Sequence, residues 1–449
     1  MKRRNFIKNT AIWTGITLGA CQPKQDINMN SKKAVVIGAG IAGLTAARSL
    51  QQQGFVTKVI EAQAQIGGRV KTNRSLGIPF DEGASWIHGS ERNPIMQLAK
   101  EAKADTFFTN DEDIVLFDLT GKTYADQTLL ETEALFEEAL EQVKKSGKLD
   151  ESFAVVFNRL FPDRLKDRLW QYLLSAYLEF DAGGDIKYLS SLYFDEDEKF
   201  DGIDLIITNG YDRVTQWLGE GLDIILNNRV LSINYSSETI IVTTNKEKFE
   251  ANYVVLTVPL GVLKKEQISF IPALPSYKIE AIKSGNMGNV NKFLLVWDDP
   301  FWDTNVQYIG YTPEVKGKFN YFLNMNKFTS YNALVTFAFG DYATTTESMT
   351  DQEIINQITS HLQSIYSKKI PNPTHMLRTK WGQNSNSFGA YSIPANNTTP
   401  QNFDLLAKSV DNKLFFAGEH TNKTYRGTVH GAYLSGMRVA EEITALGGK

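Results

Sequence analysis

The chain has 449 residues, 42% of them hydrophobic and 11% aromatic; this is enough apolar material for a large core and too much chain for one simple sheet, so two domains are expected. The formal charge is -4, and Lys2, Arg3, Arg4 and Lys8 crowd the first eight positions; the other 43 basic residues face 51 acidic ones, which argues against nucleic acid as a partner and mildly favours cationic ligands. The single cysteine, Cys21, excludes an intramolecular disulfide, a thiolate metal site and a cysteine nucleophile elsewhere, and His88, His361, His375, His420 and His430 lack metal-ligand spacing, so no metal is expected.

At the N-terminus, RRNFIK (3–8) resembles a twin-arginine export signal and Leu18-Gly19-Ala20-Cys21 resembles a lipobox whose cysteine receives a diacylglycerol after cleavage; an ordinary basic leader with a chance cysteine is the plainer alternative. The apolar run AIWTGITLGA has ten residues, about half of what a spanning helix requires, and is not expected to cross a membrane. Residues 1–21 are therefore expected to be a signal and 22–33 a polar tether. Together they predict export by the twin-arginine route and a lipid anchor on Cys21 at the bacterial cell envelope, on the periplasmic or outer face.

Folding is expected to begin near Ala34. AVVI (34–37) is a continuous apolar strand, IAGLTAARSLQQQ has the small and apolar spacing of a helix packed on a sheet, Gly54 ends it, and VTKVIE (56–61) is a second strand. Between them Gly38-Ala39-Gly40-Ile41-Ala42-Gly43 fits G-x-G-x-x-G in a βαβ unit: Gly38 permits the tight turn, Gly40 the approach of a pyrophosphate to the helix N-terminus, and Gly43 close helix–strand packing. Glu61 ends the second strand where a carboxylate accepts ribose hydroxyls, although a solvated strand-end charge would read the same. FAD and NAD both satisfy this pattern. Gly67-Gly68-Arg69-Val70 favours FAD, because Arg69 can meet a diphosphate and an NAD enzyme needs no such loop; the plain reading is a turn with a surface arginine.

Residues 91–200 are mostly helical in pattern, with charged segments such as ETEALFEEALEQVKKSGKL. DIILNN, RVLSINYS, TIIVTT and YVVLTVP then predict a β-meander, followed by a mixed segment from about 290 to 383. The terminal block from KLFFAGEH ends as strand, loop and small-residue-rich helix.

GAGIAGL, Glu61, GGRV, FDEGASWIHGS, NGYDRV, VVLTVPLGVLK, the stretch PALPSYKIEAIKSGNMGNVNKFLLVWDDPFW and LFFAGEHTNKTYRGTVHGAYLSGMRVAEEI occur in the order found in the flavin-dependent amine oxidases. The chain resembles that family from about 34 to 446, and most nearly the polyamine oxidases and the amine oxidase domain of lysine demethylases. It shows no long helical insertion of the demethylase kind, and the export signal speaks against a chromatin role. The resemblance implies that Lys292, in NVNKFLLVW, holds a water against flavin N5; by sequence alone it begins an apolar strand, where a snorkelling edge lysine is the bland alternative. It further implies that Tyr391 in FGAYS lines the substrate channel, that Thr428 replaces a second aromatic and leaves one wall of an aromatic cage, and that His88 lies near the substrate cavity. Val230 matches a backbone contact to adenine, and Glu419 a position beside the ribityl chain and diphosphate. Gly83, Ala84, Ser85, Trp86 and Trp381 match positions at the cofactor. Thr428 and Val429 fall at the N-terminus of the last helix, whose free N–H groups would face the flavin's pyrimidine oxygens. For His88 and His430 a structural hydrogen bond is as good a reading as a catalytic one. FAD should be non-covalent, because the only cysteine is in the lipobox.

The expected architecture is α/β, with a Rossmann-like FAD-binding domain from 31–90, 203–290 and 384–449 and a mixed α+β substrate domain from 91–202 and 291–383. The expected reaction oxidises a C–N bond of a small amine, with polyamines among the candidates, to an imine, with O2 reduced to H2O2. Glu179 and the run Asp195-Glu196-Asp197-Glu198 are candidates for steering a polyamine, the alternative being a solvated acidic face. An L-amino-acid oxidase would need an arginine for the carboxylate, for which Arg378 is the candidate; a catalytically silent FAD-binding lipoprotein is the alternative from another class. Twin-arginine export carries folded proteins, so a cofactor loaded in the cytoplasm and an envelope address are compatible.

Overall fold

The computed structural model describes residues 32–447. The signal, Cys21 and nearly all of the tether lie outside the described residues.

Lys33–Ile37 is the centre of a five-stranded sheet in the order Leu414–Phe416, Tyr253–Leu256, Lys33–Ile37, Val56–Ile60, Asp223–Ile225, with every neighbouring pair parallel. Alternation along the first strand sends Ala34 and Val36 to one face, under helices Ile41–Gln52 and Val429–Gly447, and Val35 and Ile37 to the other. A strand covered on both faces must be apolar throughout, which is why AVVI shows no polar alternation. The second face is closed by a four-stranded sheet in the order Lys248–Ala251, Ile240–Thr244, Val230–Asn234, Ser269–Ile271.

This corrects the expected meander. Only 230–251 forms one; Asp223–Ile225 is an edge of the parallel sheet and Tyr253–Leu256 lies inside it. YVVL is buried along its whole length, like AVVI, so its continuous apolar run marks a two-sided strand. The helix Pro94–Glu101 also departs from the expected boundary at 91: Ile95, Leu98 and Ala99 bury into the core of the first strand, and the helix packs on Val429–Gly447.

A second body of structure is built on a six-stranded sheet in the order His375–Arg378, Val290–Val296, Ala333–Phe339, Lys318–Asn324, Tyr308–Tyr311, Ile114–Phe117, antiparallel except for the last pair. Helices Asp126–Ser146, Phe153–Leu160 and Arg168–Leu173 share one aromatic-rich core with this sheet, and Asp351–Tyr366 covers its other side. Arg168–Leu173 runs on into a π-helical turn, Leu174–Glu179, an irregularity often found beside functional sites. Among the described residues no helix is long and apolar enough to cross a membrane, and no group of three or more His, Cys, Asp or Glu side chains is placed to hold a metal ion.

Candidate active site

One cavity of about 1620 Å³ runs from the first strand to the helices of the second body. It exceeds the roughly 300–1,000 Å³ of a pocket for a single small ligand, so it has room for a dinucleotide and a substrate together. All the residues expected to hold the cofactor or line the substrate channel line it except Gly43, which lies beneath.

At the inner end the two glycine loops meet, with Gly67 N donating to Ala39 O at 2.8 Å. Gly40 and Gly43 differ in what they permit. A Cβ on Gly43 would stand 2.0 Å from Gly38 O, so this glycine lets helix and strand touch; one on Gly40 would meet only Gly67 O at 3.9 Å, so the space it leaves is open to a ligand. Glu61 is buried, its carboxylate accepting from Ala39 N at 2.7 Å and Gln63 N at 2.9 Å, which turns it back over the loop rather than out to solvent. Beside it are Val230, Ala42 and Asn228, whose buried Oδ1 has no protein partner. A glycine cradle at a helix N-terminus, a carboxylate at the strand end and an orphan acceptor fit the adenosine-diphosphate half of FAD.

Arg69 lines the cavity and donates to Ala390 O at 3.1 Å and to Glu419 Oε1 at 2.7 Å. Glu419 also accepts from Ser392 Oγ at 2.5 Å and Gly427 N at 3.0 Å. Burial pushes its carboxyl up, but the Arg69 guanidinium and the Ser392 hydroxyl outweigh this and hold it below the ordinary range. A Cβ on Gly83 would lie 1.7 Å from Arg69 O, so the turn through Gly83, Ala84 and Ser85 is laid directly on the arginine's backbone. Trp86 is 7% exposed with an orphan Nε1, and Trp381 donates from Nε1 to Glu82 O at 3.0 Å.

Lys292 is the third residue of Val290–Val296, in the interior of its sheet. It is therefore not an edge lysine. It is 7% exposed, and Nζ donates to Gly83 O and Ser85 Oγ, both at 2.5 Å, and to Asp81 O at 3.2 Å. Burial pulls its pKa down to about 8, against the opposing pull of Asp81. Tyr391 donates from its hydroxyl to Phe180 O at 2.7 Å and lies against Gly183. His88 Nδ1 is 2.9 Å from Asp204 Oδ2, with the ring 43% exposed. His430 is buried, its Nε2 has no partner, and burial pulls its pKa down to about 3, so it is neutral.

Thr428 lines the cavity, but its hydroxyl accepts from Gly431 N at 2.9 Å and donates to Tyr425 O at 2.8 Å, the N-cap of Val429–Gly447. Arg378 is not among the lining residues: its guanidinium donates to Thr346 O and Met349 O and pairs with Asp351, tying down a helix end. Glu179 is fully buried and pairs with Lys316, away from the cavity wall. The run Asp195–Glu198 does line the cavity, with Asp195 and Glu196 held by Lys144 and Asp197 by Arg426, so it is not a freely solvated face.

Sequence reading missed the outer wall. Glu133, Phe136, Glu137, Leu140 and Lys144 line it from one face of Asp126–Ser146, a spacing that marks a shared face but not what the face meets. Phe200 stacks on Tyr425 at 4.9 Å with His430 edge-on to both, a cluster with no local sequence signal.

The profile of the family described as flavin containing amine oxidoreductase matches residues 41–444. Polyamine oxidase 2 of Arabidopsis thaliana is 34% identical over 434 residues, covering 92% of this chain and 88% of its own length. Polyamine oxidase 3 of Oryza sativa subsp. japonica is 34% identical, with 92% and 89% covered. Lysine-specific histone demethylase 1 homolog 1 of Arabidopsis thaliana is 33% identical over 91% of this chain but only 52% of its own length. A solved putrescine oxidase double mutant, redesigned in cofactor binding, superposes with TM-score 0.77 over 92% of this chain and 99% of that one; at 20% identity this likeness speaks to the fold.

Proposed function

Since the chain belongs to the flavin-containing amine oxidoreductases, we propose that this FAD-dependent enzyme oxidises a polyamine-class substrate at a C–N bond and passes the electrons to O2. Amine, O2 and water go to aldehyde, shortened amine and H2O2: two electrons and two protons leave the amine, and water hydrolyses the resulting imine.

The observation that carries the substrate class is Glu133. It is half-buried in a wall with Phe136 and Leu140, its Oε1 has no partner, and Glu137 follows one turn later on the same face. Burial and the neighbouring Glu137 push the Glu133 carboxyl up, a strain that a second ammonium group of the substrate would relieve.

Bound FAD supplies the hydride acceptor. In this reading Gly38, Gly40 and Glu61 hold its adenosine half, Arg69 meets the diphosphate with Glu419 behind it, and Lys292 keeps a proton at Nζ beside the ring system. Trp86, Tyr391 and Phe180 exclude water. The reacting nitrogen must arrive neutral, because a protonated nitrogen has no lone pair to support loss of the adjacent hydride. FAD is held without a covalent bond, so acid precipitation should release the yellow chromophore.

The test is peroxide release from spermidine, spermine, putrescine, a monoamine and an L-amino acid. Glu133→Gln with Glu137→Gln should raise KM for spermidine at least about tenfold, the loss of roughly 1.4 kcal/mol of binding, and leave the monoamine nearly unchanged. Faster turnover of the L-amino acid than of every polyamine would overturn the reading. The proposal includes an envelope location through a lipid on Cys21, for which Cys21→Ala should leave an unprocessed precursor.

A further inference from the structure

Behind Lys292, on the face of its strand turned away from the cavity, stands a hydrogen-bonded hub that the reading above does not use. Successive residues of Val290–Val296 point to opposite faces, so Val290 and Lys292 line the cavity while Asn291 faces the helix Gly340–Ser348. Asn291 is fully buried, and every hydrogen-bonding capacity of its side chain is filled. Its Nδ2 donates to Ala343 O at 3.1 Å and to Glu347 Oε1 at 2.9 Å; its Oδ1 accepts from Trp381 N at 3.0 Å and from Thr379 Oγ1 at 3.1 Å. Ala343 O can only accept and Trp381 N can only donate, so these partners admit one orientation of the amide.

Glu347 holds the hub from behind. It is buried, and three N–H donors converge on its Oε1: Asn291 Nδ2 and Asn289 Nδ2, each at 2.9 Å, and Gly382 N at 2.8 Å. A carboxylate suits this place, since it presents acceptors only. A Cβ on Gly382 would stand 2.9 Å from Glu347 Oε2 and 3.0 Å from Oε1, so glycine there lets the backbone close on the carboxylate. On the other side Thr379 joins the hub to Lys292. The ladder between Val290–Val296 and His375–Arg378 ends at Arg378; just past it Lys292 N donates to Thr379 Oγ1 at 2.9 Å, and Thr379 N donates to Lys292 O at 3.1 Å. The same hydroxyl donates to Asn291 Oδ1, so one side chain ties the backbone of Lys292 to the amide that carries Trp381. Valine at 379 would have nearly the same shape and make neither side-chain bond.

Lys292 and Trp381 both line the cavity, whereas Asn291 and Glu347 do not. We propose that Asn291, braced by Glu347, is a positioning residue that fixes Trp381 directly and Lys292 through Thr379, so that indole and ammonium keep one mutual placement at the reactive end of the cavity. The proposal rests on the reading that puts the flavin ring beside Lys292 and Trp381. It accounts for polar side chains with no access to the cavity in the interior of a sheet, a place where burial is costly unless every bond is made.

The test uses FAD-loaded enzyme carrying Asn291→Ala, Thr379→Val or Thr379→Ser, with two readouts. The visible absorbance band of bound flavin responds to the groups against its ring. It should shift in Asn291→Ala and Thr379→Val and keep the wild-type position in Thr379→Ser, which retains the hydroxyl. Reoxidation of the reduced enzyme by O2, followed by stopped flow, should slow at least about tenfold in Asn291→Ala, as it does when a distant change misplaces a reacting group. In a Lys292→Met background the same substitution should slow it by no more than about twofold further, because residues that act through one another are not additive. A wild-type band and a wild-type rate in loaded Asn291→Ala and Thr379→Val would overturn the proposal and leave the hub as a structural brace. So would equal slowing by Asn291→Ala in both backgrounds where Lys292→Met is itself slow. If Asn291→Ala does not fold, the two Thr379 variants decide. Reoxidation of Lys292→Met at the wild-type rate would instead count against the role of Lys292, and the flavin band, which does not depend on that role, still judges the hub.

Discussion

Glu419 joins three segments that are distant in the chain, the Arg69 loop, Ser392 and Gly427, so its charge should be measurable as a coupling rather than only as a loss. Breaking a fully buried pair costs about 3–5 kcal/mol. Arg69 keeps 22% of its side chain exposed and can turn part of its charge to water, which reduces the Arg69–Glu419 coupling to about 1–2 kcal/mol. Glu419→Gln should cost about 2–3 kcal/mol in all, since the amide also presents a donor where Gly427 N or Ser392 Oγ now donates. The assay is a double-mutant cycle of Arg69→Met and Glu419→Gln, read from urea unfolding of the apoprotein followed by tryptophan fluorescence. The sign with pH follows from the lowered Glu419 pKa: the contribution is present above the ordinary value of 4.5 and is lost as pH falls below it. A coupling below about 0.5 kcal/mol at pH 7, the error of simple additivity, would refute the reasoning.

Gly40→Ala should leave the apoprotein as stable as wild type, because its Cβ meets nothing closer than 3.9 Å, yet weaken FAD binding at least about tenfold by titration; Gly43→Ala, with a 2.0 Å contact, should destabilise the apoprotein itself. Lys316→Met leaves the carboxylates of buried Glu179 and part-buried Asp185 without their shared cation; burial already pushes Glu179 up to about 7, so protonation limits the loss to about 2 kcal/mol in urea unfolding at pH 7, and the loss should grow as pH rises. His361 is buried beside Tyr311 and Phe319, and burial pulls its pKa from 6.5 to about 4. The unfolded chain then takes up the proton first, so this stability is full above pH 6.5 and declines as pH falls through 4, by up to about 3 kcal/mol. His361→Leu should flatten that part of the acid decline, and an unchanged slope would show that the ring is solvated.

What could be read from the chain alone was what is encoded over short distances. Strand, glycine turn, helix N-terminus and Glu61 fall within thirty residues, and the geometry of a βαβ unit brings them to one place whatever the rest of the protein does. Lys292 stood out for a related reason, since an ammonium in a continuous apolar run needs an explanation wherever that run is buried. Tertiary structure decided the pairings. YVVL belongs with AVVI and not with the strands just before it, because strand partners are chosen by the whole sheet. Thr428 looked like a lost aromatic wall and proves to cap the last helix, while Phe200, Tyr425 and His430 form an aromatic cluster from three separate positions. The acidic run at 195–198 looks the same in sequence whether it faces bulk water or a cavity; its place was set by Lys144 and Arg426, which reach it from distant helix and loop. Local chemistry fixes how a residue can act, but which groups meet depends on sheets and helices packing across more than 200 residues of intervening chain, and no spacing rule spans that distance.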